Sequence, residues 1–202
     1  MLKVLRPLIT RVATPVAGRL LAVGIGPDTV TLIGTVGVSA AALVFLSQGR
    51  FLIGTIVVTL FVLTDMLDGV MARAAGRTDR FGAWLDSSCD RVADGAVFCS
   101  LAWWFTGRGD DRTLAAVSLF CLVAGVVVSY EKARAEGLGM RCDVGLAERA
   151  ERLVVALGGT ALVGLGLPDV VLAVALWLLA AATAVTVVQR ALEVRRQAAL
   201  AG

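Results

Sequence analysis

Apolar residues in this chain run together instead of alternating with polar ones. The runs fall at residues 29–49, 51–72, 82–107, 113–130, 153–168 and 170–189. Each approaches the roughly 20 residues a helix needs to cross a hydrocarbon core. A helix is the form in which such a run satisfies its own backbone in lipid, so six spanning helices are predicted. The first 20 residues follow another rule. Leu2, Val4, Leu5, Leu8, Ile9, Val12, Val16 and Leu20 are interleaved with Lys3, Arg6, Arg11 and Arg19. That pattern predicts an interfacial amphipathic helix over about 1–22, with Pro7 and Pro15 as the points where it breaks. The stretch lacks a long apolar core and a small-residue cleavage site, so it is not expected to be a signal peptide. The expected fold class is an all-α integral membrane protein, one domain over 1–202. Six transmembrane helices, bundled over 23–196, follow the N-terminal helix.

Composition agrees. Hydrophobic residues make up 58% and charged residues 17%, against about 45–50% and 25% in soluble domains. The net charge of +3 follows from where the cations lie. Fifteen basic residues flank one set of chain ends and connections, and only Arg50, Arg108 and Arg112 lie in the opposite loops. By the positive-inside rule, both termini and the connections after the second and fourth runs are cytoplasmic, in the cell membrane. No nucleic-acid partner is implied. Cys89, Cys99, Cys121 and Cys142 show no CxxC spacing, so neither disulfide nor zinc is expected. The chain has no histidine, which leaves acid–base work to carboxylate, lysine or tyrosine.

The second and third runs are apolar over only one half. Asp65 and Asp68 lie near the end of one, Asp86 and Asp90 near the start of the next. On helices, spacings of three and four put each pair on one face. The short connection 74–81 makes the two helices antiparallel neighbours, which brings the pairs together. Four carboxylates in a low-dielectric setting require cations, and hard oxygen ligands suit Mg2+ or Mn2+, so a site for two ions is predicted. Pairing with Arg73 and Arg91 would account for the charges but not for the nearby glycines or the repeated spacing. Asp94, one turn beyond Asp90, reads as a support for the ligands. Gly26-Pro27-Asp28-Thr29 marks the start of the first span, with Asp28 as its N-cap.

The string Asp-x2-Asp-Gly-x2-Ala-Arg-x8-Gly-x3-Asp-x3-Asp is complete over residues 65–90 and resembles the signature of the CDP-alcohol phosphotransferase family. The resemblance implies attack by an alcohol hydroxyl on the lipid-side phosphorus of CDP-diacylglycerol, with CMP leaving. It implies Asp65, Asp68, Asp86 and Asp90 as ligands of two Mg2+, with Mn2+ able to substitute, and Asp90 also as general base. A carboxylate held between cations is a weak base, so the hydroxyl must itself be acidified by its position or by metal. Arg73 would grip the diphosphate, and Asp28, Thr29, Val30 and Thr31 would lie near the nucleotide. Gly69 and Gly82 would let it pass close to backbone. Asp79 stands where relatives often have Thr or Ser, and Thr78 is the substitute for that contact.

A second group of charges lies in Ser129–Glu136, in Glu148–Arg152 and at Arg190. Lys132, Arg134, Arg149, Arg152 and Arg190 suit an acceptor phosphate, the guanidinium by paired hydrogen bonds and the ammonium as a point charge. The positive-inside rule explains their number but not their mixture with Glu131, Glu136, Glu148 and Glu151. These stretches resemble the actinobacterial branch of the family, the phosphatidylinositol phosphate synthases, although Ala150 stands where a proline is expected. The resemblance implies inositol phosphate as acceptor. Glycerol 3-phosphate, which would give phosphatidylglycerophosphate, also carries a phosphate and stays open. So does a divalent-cation transporter, although no polar residues continue to the other face. A homodimer is expected, from the resemblance and from the small-residue faces of the first, third and fourth spans.

Overall fold

The computed structural model describes the backbone of residues 6–74 and 80–201, and the side chains of residues 14–64, 67, 69–72 and 80–200. All regular structure among them is helical. The helices are α1 (Arg6–Ala22), α2 (Pro27–Phe45), α3 (Phe51–Val62), α4 (Thr64–Ala74), α5 (Arg80–Thr106), α6 (Arg112–Gly137), α7 (Arg149–Gly164) and α8 (Val170–Ala201). Among the described residues three stretches are long and apolar enough to cross a membrane: Pro27–Gln48, Arg112–Gly137 and Val170–Leu200. Of the other predicted spans, α5 has the length, with 27 residues, but carries Asp86, Asp90, Arg91 and Asp94 in its first half. The 16 residues of α7 reach only about 24 Å.

The chain divides into two compact units, residues 1–44 with 56–97 and residues 45–55 with 98–202. In the first, α1 packs on α4, with Ala17, Val30, Val70 and Met71 buried and Leu20, Leu21, Ile25 and Leu67 around them. The helix α1 runs through Pro15 and does not break there as the sequence suggested. Proline disfavours a helix interior, and the apolar contacts of Ala17, Leu20 and Leu21 offset that cost. The expected N-cap also differs: α2 begins at Pro27, so Asp28 lies inside its first turn. Proline is suited to that first position because it has no amide to leave unpaired, and the Asp28 carboxylate complements the positive end of the helix dipole.

The run 51–72 is two helices and not one. Among its turns, Leu63 separates α3 from α4. The Thr64 hydroxyl donates to the Phe61 carbonyl at 2.6 Å. In an uninterrupted helix that carbonyl would serve the amide of Asp65, so a local side-chain bond competes with the ladder here. Asp65 is therefore the second residue of a new helix.

In the second unit α8 packs against α6 and α7. Its buried residues Leu172, Leu176, Leu179, Thr183, Thr186 and Arg190 recur every three or four positions, the spacing of one helical face. Val174, Trp177, Leu178, Val185 and Val188 are exposed. Gly159 of α7 admits Leu172 and Ala175, which would lie 3.1 Å from a Cβ there. Small residues of this kind let helices approach closely in lipid. Thr55 and Thr160 share a hydroxyl hydrogen bond of 2.7 Å between α3 and α7.

Candidate active site

The aspartates are distributed over α4 and α5. Asp86 and Asp90 stand one turn apart on α5, Asp86 exposed and Asp90 half-buried. Arg91 approaches the Asp90 carboxylate at 3.4 Å. Asp94, a turn further, is buried. This gradient separates the three acids: the first two are open to solvent in decreasing degree, and the third faces packed protein. Ser87 and Ser88 both donate to the Trp84 carbonyl, at 3.0 and 2.8 Å, and so occupy their hydroxyls within α5 itself. Asp65, Asp68 and Arg73 belong to α4, but their side chains lie outside the described residues. Thr78 and Asp79 lie outside them altogether. Among the described residues no three His, Cys, Asp or Glu side chains converge. Gly69 and Gly82 are half-buried, and Val30 and Thr31 are buried in the first turns of α2. The Thr31 hydroxyl is held by the Pro27 carbonyl at 3.2 Å.

The predicted acceptor cations fall in the second unit and play unequal parts. Arg152 and Arg190 are almost wholly buried, at 1% and 3% exposure, whereas Lys132 is partly open and Arg134 exposed. Arg190 donates from Nε to the Val144 carbonyl at 2.9 Å and from a terminal nitrogen to the Val128 carbonyl. Its other terminal nitrogen lies 3.7 Å from Glu148. Arg190 thus ties the loop 138–148 to α6 and α8, besides any contact with a ligand. Arg152 donates to the Ala147 carbonyl at 3.4 Å, and its guanidinium lies over Gly125 of α6. A Cβ at position 125 would come within 2.9 Å of Arg152 Nε, so glycine is what makes room for this cation. Lys132 donates to Asp143 at 2.7 Å. That bond holds the Asp143 carboxyl below its usual range, with the nearby charges of Lys132, Arg141 and Arg190 adding to it.

A model of the CDP-alcohol phosphatidyltransferase family matches residues 25–189, and the chain belongs to that family. Within it, the chain is similar to the phosphatidylinositol phosphate synthase of Streptomyces avermitilis, 54% identical over 203 residues, covering 98% of this chain and 83% of that protein. It is also similar to that of Mycobacterium tuberculosis H37Rv, 48% identical over 192 residues, covering 92% and 86%. Crystal structures of the M. tuberculosis synthase also match. One has CDP-DAG bound, with TM-score 0.88, 48% identity and coverage of 91% of this chain and 94% of that one. Another is in complex with manganese and citrate, with TM-score 0.87, 48% identity and coverage of 90% and 88%.

Sequence reading missed the residues that shape the loop around Lys132. Thr186 accepts from the amides of Leu146 and Ala147, each at 3.0 Å. Gln197 receives the Arg141 amide at 3.0 Å and donates back to its carbonyl. Both are ordinary polar residues on an apolar helix, and their partners lie about 40 and 56 positions away. Their only sequence signal is their place on the same face of α8 as Arg190.

Proposed function

We infer that this chain transfers the phosphatidyl group of CDP-diacylglycerol to a hydroxyl of inositol phosphate, forming phosphatidylinositol phosphate and releasing CMP. The observation that carries the reading is the complete aspartate string on α4 and α5, in a chain 54% identical to a synthase of that name. The acceptor oxygen forms a bond to the lipid-side phosphorus as the bond from that phosphorus to the CMP oxygen breaks. The hydroxyl proton passes to Asp90.

Divalent metal is part of this chemistry, and the donor set fits it: Asp86 is exposed, Asp90 is half-buried, and both offer hard carboxylate oxygens from one helix face. Two Mg2+, or Mn2+ in their place, would be held by Asp65, Asp68, Asp86 and Asp90. When bound, they neutralise charge on the phosphoryl group in flight. Arg73 grips the diphosphate, and the nucleotide contacts Asp28, Thr29, Val30, Thr31, Thr78 and Asp79 and passes Gly69 and Gly82. Asp94, buried a turn beyond Asp90, supports the ligand helix. Lys132, Arg134, Arg149 and Arg152 take the acceptor phosphate, and Arg190 contributes its one terminal nitrogen not spent on a carbonyl. The domain over 1–202 makes six passes and α1 lies at the interface. The active site and both termini are cytoplasmic, and the enzyme is a homodimer.

The test is CMP release from CDP-diacylglycerol by the purified protein in nanodiscs, with inositol phosphate, glycerol 3-phosphate or inositol as acceptor. Release is expected with inositol phosphate and Mg2+ and should stop on chelation. Faster turnover of glycerol 3-phosphate would overturn the acceptor assignment.

A further inference from the structure

The loop between α6 and α7 brings an acid directly onto one of the phosphate-binding cations. Asp143 Oδ1 stands 2.7 Å from Lys132 Nζ, while Glu136, on the same helix as the lysine, stays at 3.9 Å. The backbone that carries Asp143 is tied to α8 on both sides. Before it, Arg141 exchanges two hydrogen bonds with the Gln197 amide. After it, Arg190 holds the Val144 carbonyl at 2.9 Å, and Thr186 holds the Leu146 and Ala147 amides. Gly145, at φ 144°, sits where a Cβ would be 2.5 Å from the Thr186 methyl, so only glycine permits this approach. None of these anchors involves Lys132. The Asp143 side chain itself is 70% exposed, so the carboxylate can swing into water while its backbone stays in place.

We propose that Asp143 is a built-in counter-anion of the acceptor site, which occupies Lys132 until the acceptor phosphate displaces it and thereby sets the acceptor's apparent KM. This rests on the reading of Lys132 as a phosphate ligand given above. A lysine ammonium is a compact charge without directional preference, so a phosphate dianion competes well against a single carboxylate for it. The displaced carboxylate is rehydrated at little cost because it is already largely exposed. Tethering nevertheless keeps it at a high effective concentration beside the lysine. The acceptor's affinity is reduced by the fraction of molecules in which Lys132 is engaged. Asp143 thus weakens acceptor binding without touching the reacting atoms.

The experiment compares the full-length protein with Asp143→Asn in nanodiscs. Inorganic phosphate is titrated by calorimetry, and the KM for inositol phosphate is measured in parallel. Loss of the counter-anion should lower the phosphate Kd and the inositol phosphate KM by roughly two- to fivefold, the strength of an exposed ion pair, with the change in KM and not in kcat. In a Lys132→Ala background the same substitution should have no effect. Unchanged or weaker phosphate binding in Asp143→Asn, or no phosphate binding by either protein, overturns the proposal; weaker binding would mean that Asp143 holds the lysine in place for the ligand. If inositol phosphate proves not to be an acceptor of the unmodified protein, the functional reading falls, and the phosphate titration still decides the role of Asp143.

Discussion

Asp86 and Asp90 meet solvent although they interrupt an otherwise apolar stretch, and that exposure is what a ligand-binding carboxylate needs. Substituting Asn at Asp65, Asp68, Asp86 or Asp90 keeps the shape and removes one charge. Because changes to residues that merely orient a metal ligand already cost about 10- to 100-fold, each Asn variant should lose at least about 100-fold in CMP release at limiting Mg2+. Its thermal stability should be retained. Full activity in any of them would remove that residue from the metal site. Arg152 makes a different case because it is buried over Gly125. Gly125→Ala should push the guanidinium aside and raise the inositol phosphate KM while CDP-diacylglycerol binding persists. Arg152→Ala should cost about 1.5–3 kcal/mol of acceptor binding, the value of one charge-assisted contact, or about 10- to 150-fold. An unchanged KM in both would exclude Arg152 from the acceptor site. Asp143 also makes a prediction about pH. Its pKa is depressed in the folded state by Lys132, so its pairing stabilises the loop above the unfolded carboxyl value of about 3.9 and is lost as pH falls through the lower folded value. Hydrogen exchange in residues 138–148 should therefore show no change due to this pair between about pH 6 and 8, and faster exchange should appear only in strong acid.

Whole elements show why one half of the candidate site could be read from the sequence and the other could not. The aspartate string was legible because its spacing is local: positions 86 and 90 share a helix face whatever surrounds them. The all-helical class followed from hydropathy in the same way. The break at Leu63 was not legible, since no glycine or proline marks it and its visible cause is one hydroxyl, that of Thr64, taking the Phe61 carbonyl. Pro15 misled in the opposite direction, because packing of α1 on α4 outweighs what proline costs locally. The loop 138–148 was the least legible part, as its shape depends on α8 side chains far along the chain. Thr186 carries much of that shape, so it gives a test at this scale. Thr186→Val keeps the volume but strands the Leu146 and Ala147 amides, and one unsatisfied buried group costs about 1–3 kcal/mol. A lower melting temperature in detergent and a higher inositol phosphate KM are expected together. An unchanged melting temperature and an unchanged KM would show that the anchoring lies elsewhere, in Arg190 or Gln197.

At the scale of the whole molecule, the exposed apolar residues matter most. Leu32, Ile33 and Val36 on α2, Leu119 and Val123 on α6, and Val174, Trp177 and Leu178 on α8 all face outward. Among the described residues these three helices are long and apolar enough to cross a bilayer, so their outer faces are suited to lipid or to a second copy of the chain. The remaining passes demand more of the protein. The 12 residues of α3 reach only about 18 Å, so a pass there must continue into α4, and α5 can cross only if its acidic first half faces protein or water. Six passes would place the C-terminus on the same side as the N-terminus, and under the positive-inside rule the fifteen flanking basic residues predict that side to be cytoplasmic. Fusions to a fluorescent protein and to alkaline phosphatase decide this directly, since the first is bright only in the cytoplasm and the second active only outside it. After residue 202 the fluorescent fusion should be bright and the phosphatase silent; after Arg108, between α5 and α6, the pattern should reverse. If the two positions report the same side, an odd number of passes between them is excluded, and either one of α6, α7 and α8 or all three fail to cross. If both report the opposite of what is expected, an odd number of passes between them stands and the cytoplasmic placement of the C-terminus falls.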